Sequence, residues 1–164
     1  MSMTAPQTAP LSQPAGTYRP KGMLIDGKWV GSVSGLRITV ENPGKRTAVA
    51  EVPRAAAADV DLAVAAADKA FVAWKNVVPR ERGKLLLKIA EAMEARAEEM
   101  ARTIALETGN ALRTQARGEA RLAADVFRYF GGLASELKGE TVPLGEHVLS
   151  YTRREPIGIV GAII

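Results

Sequence analysis

His147 is the only histidine in the 164 residues, and cysteine is absent. Those two facts narrow the available chemistry at once. No thiolate nucleophile, disulfide or thiolate-bound metal can form within these residues, and ligand spacings of the His-x-x-x-His or Cys-x-x-Cys kind do not occur. His147 follows Gly145-Glu146 in a turn-like triplet, with Ser150 three residues on. On a strand that spacing sends the two side chains to opposite faces, so a solvated histidine is expected rather than a serine–histidine pair. The phosphate-cradling pattern Gly-x-Gly-x-x-Gly is missing, and Gly158-x-x-Gly161 alone points to strand packing more than to phosphate binding. Glu91, Glu94, Glu98 and Glu99 are spaced to share the wet side of a helix, where charge pairing along the surface accounts for them. Within this chain the expected catalytic set is therefore none.

The elements around these residues follow from period and punctuation. Residues 1 to 22 are rich in Ala, Pro, Gln, Ser and Thr, too poor in large apolar groups to offset the entropy of ordering, and predict a disordered tail. Met23 to Val30 carries Asp26-Gly27 between apolar runs, a strong hairpin signal because both residues tolerate positive φ. A second hairpin is predicted from Leu36 to Val40 and Thr47 to Val52 across Asn42-Pro43-Gly44. Val60, Val64, Ala67, Phe71 and Trp74 repeat on one face of a helix starting near Ala58. Pro79 suits the start of a second helix that runs to Gly109, with Leu86, Ile89, Met93, Ala97, Met100 and Ile104 as its stripe. A third helix is predicted from Leu112 to Leu137, carrying Leu122, Val126, Phe130, Leu133 and Leu137. Thr141 to Leu144 and His147 to Arg154 alternate like a further hairpin. Ile157 to Ile164 is apolar on both faces, as in a covered strand of a parallel sheet. A terminus inside such a run is expected of a truncated chain.

Charge excludes one tempting function. The sequence pI is about 9.6, but Arg19 and Lys21 in the acid-free first 22 residues supply half of the net charge of +4. The remaining lysines and arginines alternate with glutamates along helices, and only 5% of residues are aromatic, so no nucleic-acid face is expected. No apolar run reaches the roughly 18 to 20 residues of a membrane span, and no secretory signal pattern is visible, so the expected location is cytoplasmic, with no membrane partner.

The ordered motifs are more specific than any one of them. Ile25-Asp26-Gly27-Lys28-Trp29 is followed by Glu41-Asn42-Pro43 and then by Asp59-Val60-Asp61-Leu62-Ala63-Val64. Arg80-Glu81-Arg82, Glu107-Thr108-Gly109 and Tyr151-Thr152-Arg153-Arg154-Glu155-Pro156-Ile157-Gly158 come next. From about residue 23 to residue 164 this order resembles the N-terminal region of the aldehyde dehydrogenase superfamily. The resemblance implies an α/β fold in which residues 23–138 form the first part of a cofactor domain. Residues 139–156 would be an oligomerisation arm, and 157–164 the start of a parallel sheet. It implies a complete enzyme that oxidises a small-molecule aldehyde to a carboxylic acid with NAD or NADP, through a cysteine thiohemiacetal, and that assembles as a homo-oligomer.

The cysteine, a water-activating glutamate and an oxyanion-binding asparagine in Pro-Trp-Asn would all lie beyond Ile164. The chain alone is accordingly expected to be inactive and to bind the cofactor only weakly. Ile163 and Ile164 would line the cofactor cleft, though apolar strand ends serve core packing equally well. Some relatives hold a monovalent cation at positions matching Val40, Glu41 and Glu107. Read by itself, Glu107 is a surface acid at a helix end.

Overall fold

The computed structural model describes residues 22–163, and the expected N-terminal tail lies almost wholly outside them. Strands β1 (Met23–Ile25) and β2 (Lys28–Val30) pair antiparallel. Asp26 and Gly27 both take positive φ, 50° and 71°, which matches the right-handed twist of the strands they join. Strands β3 (Arg37–Asn42) and β4 (Thr47–Pro53) form the second hairpin, with an irregularity in register between Val40 and Glu41. The buried Asn42 side chain makes its turn: Oδ1 accepts from the backbone N–H of Gly44 at 2.9 Å and of Lys45 at 3.0 Å.

Helix α1 (Ala57–Trp74) begins where expected. Its stripe stays largely open, with Val60, Val64 and Trp74 all about half exposed. The single second helix of the sequence reading is instead two helices, α2 (Pro79–Ala95) and α3 (Ala97–Thr108), broken at Arg96, whose φ and ψ of −116° and 17° leave the helical region. The break has a packing reason. Helix α2 lies along α4 (Arg117–Leu133), whereas α3 lies against the start of α4 and the π-turn Leu112–Ala116 before it, and one straight helix could not follow both. That π-turn, closed by the Ala116 N–H donating to Ala111 O at 3.2 Å, also corrects the expected third helix, which starts irregularly and ends at Leu133 rather than Leu137.

Small side chains make the contacts. The buried apolar residues among those described are all alanines, namely Ala50, Ala90, Ala101, Ala116, Ala120 and Ala124, and Gly83 and Gly131 are buried where α2 crosses α4. Ala101, Ala116 and Ala120 form one cluster, with Met100, Ile104 and Leu112 against it. Ion pairs stitch the rim: Arg117 of α4 donates to both oxygens of Glu98 of α3 at 2.8 and 2.9 Å, and Arg102 adds a contact at 2.9 Å. The Arg117 bond chiefly holds the Glu98 carboxyl down from its ordinary 4.5 to about 2. Both partners are exposed, so solvent weakens the pair.

Strands β5 (Thr141–Pro143) and β6 (Leu149–Tyr151) form the third hairpin, shorter than the alternation suggested, with His147 exposed in its turn. Residues 157–163, expected to begin a parallel sheet, carry no strand pairing among the described residues. A strand exists only as one side of a ladder, and no neighbouring backbone pairs with this stretch; Ile157 is 93% exposed.

Candidate functional site

Two of the ordered motifs, far apart in the chain, meet in space. Gly109 ends α3 in the left-handed conformation, φ 78°, and a Cβ added there would come 2.9 Å from Cγ of Pro43. Helix α3 therefore terminates directly on the β3–β4 turn, and glycine is required both by the backbone angle and by the close approach. This seating brings Glu107 and Val40 to the wall of one small cavity of about 60 Å³, with Val49, Val52, Thr103 and Leu106 also lining it. Glu41 does not line it. Its carboxylate pairs with Arg46 at 3.0 Å across the turn.

The cavity is mostly apolar, with Glu107 as its one acidic lining residue among those described. Among the described residues no three His, Cys, Asp or Glu side chains gather as a metal site. For the cofactor-lining pair, Ile163 is fully exposed and Ile164 lies outside the described residues.

Asp59 is the residue whose role sequence reasoning missed. In the sequence it stands out only within the Asp59-Val60-Asp61 motif, yet it is 2% exposed and accepts three hydrogen bonds. The Val33 N–H donates to Oδ1 at 2.8 Å, and the Ala56 N–H and the Ser32 hydroxyl donate to Oδ2 at 2.9 and 3.0 Å. The Ala56 bond is local, half of a capping box. The other two tie the Ser32 to Gly35 loop after β2 onto the start of α1. Bonds from Val33 and then Ala56 hold the Asp59 carboxyl below its ordinary 3.8, with Ser32 adding to them against the opposing effect of burial.

At the base of the β5–β6 hairpin, the Thr152 N–H donates to Glu140 O at 2.8 Å. Alternation along the ladder then makes Val142 and Ser150 the mutually bonded pair and leaves Pro143 opposite Leu149 in a non-bonded pair, where a missing N–H leaves no gap. A Cβ at Gly139 would collide with the Thr152 carbonyl, so the base of the hairpin closes only over glycine.

A sequence model of the aldehyde dehydrogenase family matches residues 29–164. The chain belongs to this family. An aldehyde dehydrogenase of Aspergillus niger is 41% identical over 147 residues, 89% of this chain and 29% of its own length. Among solved structures, an NAD-dependent aldehyde dehydrogenase from Sinorhizobium meliloti is 40% identical with a TM-score of 0.74, over 82% of this chain and 28% of that one. A salicylaldehyde dehydrogenase from Pseudomonas putida G7, complexed with salicylaldehyde, is 32% identical with a TM-score of 0.81, over 86% of this chain and 29% of that one. The chain thus spans about 30% of the length of the aldehyde dehydrogenases it matches. The α/β character expected of an N-terminal portion of such an enzyme holds, with the parallel sheet itself not formed among the described residues.

Proposed function

We propose that these residues form the N-terminal portion of an NAD(P)-dependent aldehyde dehydrogenase that oxidises an aldehyde to a carboxylic acid, and that the chain alone performs no such oxidation. What supports the reading is the ordered motif set folding as its counterparts in the family do, while the 164 residues contain no cysteine to act as nucleophile. NAD or NADP would supply a hydride acceptor. The chain's own part would be to build the helices and hairpins on which the rest of such an enzyme packs. Purified chain incubated with NAD or NADP and a panel of aldehydes should produce no reduced cofactor. Sustained turnover by that preparation would overturn the assignment.

The proposed domain limits are those of the resemblance, 23–138 for the first part of the cofactor domain and 139–156 for the arm. Val40 and Glu41 would offer a monovalent cation their backbone carbonyls, and Glu107 its carboxylate. Glu107→Gln should then abolish any rise in melting temperature on replacing a bulky organic cation by potassium or sodium. Wild-type protein that melts identically in all three salts would remove the cation from the proposal.

A second reading, a non-catalytic partner that pairs with full-length subunits through the arm, is favoured by one observation. Leu149 is 83% exposed and Tyr151 is 64% exposed on β6, and the backbone N–H groups of both face away from β5, at an open edge. Proline at Leu149 should block strand addition there while leaving the Val142–Ser150 bonds intact. Co-purification with a full-length aldehyde dehydrogenase, lost in Leu149→Pro, is the result this reading expects. Association that survives the substitution would exclude pairing through that edge.

A further inference from the structure

We draw no further inference here: the strongest candidate, the open apolar groove of about 580 Å³ between β4 and helices α2 and α3, lined by Val52, Ile89, Met93, Met100 and Ile104, carries none because nothing in the structure shows what covers it.

Discussion

Gly83→Ala should destabilise the protein by about 1 to 2 kcal/mol, while Gly118→Ala, a change of the same chemistry on α4, should stabilise it by up to about 1 kcal/mol. Alanine is the better helix former at both sites, so propensity alone predicts a gain for each. Packing separates them. A Cβ at Gly83 would lie 2.6 Å from the carbonyl oxygen of Gly131 and 3.1 Å from the Cβ of Ala134, and both obstacles are rigid parts of the facing chain. The helices must move apart, and overpacking of this kind costs about 1 to 3 kcal/mol, more than the propensity gain.

Gly118 is exposed and has nothing within 4 Å of an added Cβ, so its gain is unopposed. Gly131→Ala falls between. Its Cβ would meet the Leu87 side chain at 3.1 Å, which is 37% exposed and has room to turn, and the Gly83 carbonyl oxygen at 3.2 Å, a looser approach than the 2.6 Å met at Gly83. Denaturant melts of the three variants check the order. Equal stability of Gly83→Ala and Gly118→Ala would mean that α2 and α4 do not cross this closely in solution.

The contrast between those glycines marks where sequence reasoning stops. Both hairpins of the N-terminal half were legible because their turns are local: Asp26-Gly27 and Asn42-Pro43-Gly44 carry their conformations in adjacent residues. The break at Arg96 was not legible, because arginine is a good helix former and the apolar stripe runs on through Met93 and Ala97 to Met100. Only the need of α2 and α3 to follow different parts of α4 breaks it. The π-turn before α4 is hidden in the same way, since an extra residue in a helical turn leaves the composition unchanged. Amphipathic faces were legible, but whether anything covers them is a property of the partner surface, and Val126 and Phe130 are about half exposed in the fold.

The candidate site divides along the same line. Glu41-Asn42-Pro43 and Glu107-Thr108-Gly109 stand out as motifs, yet the seating of Gly109 on Pro43 spans more than sixty residues and appears only in three dimensions. Ile157 to Ile164 looked like a strand because every residue in it is apolar or glycine. Hydrophobicity states what a segment would bury, and pairing decides whether it becomes a strand.

Asp59→Ala should lower stability more than removing any exposed ion pair of the molecule, and the loss should fade in acid. Alanine strips the partner from the Val33 and Ala56 N–H groups and from the Ser32 hydroxyl together, releasing the loop after β2 from the start of α1. Asp59→Asn is the sharper probe. Its Oδ1 still accepts from Val33, but its amide nitrogen faces the Ala56 N–H, donor against donor, and the backbone cannot rotate to relieve it. The pH dependence follows from sign. Because the folded carboxyl ionises below its ordinary 3.8, the unfolded chain takes up the proton first as pH falls. The carboxylate's contribution is complete above that ordinary value and disappears as pH drops through the lower folded one. The stability gap between wild type and Asp59→Asn should therefore be widest near neutrality and narrow as pH falls below the ordinary 3.8. Glu98, held at about 2, shifts wild-type stability in the same direction but is present in both proteins and cancels from the gap. Hydrogen exchange locates the effect: the Val33 and Ala56 amides should lose protection in Asp59→Ala. A stability gap that does not change with pH would mean that the carboxylate's charge contributes nothing, leaving Asp59 as a space-filling residue under the loop.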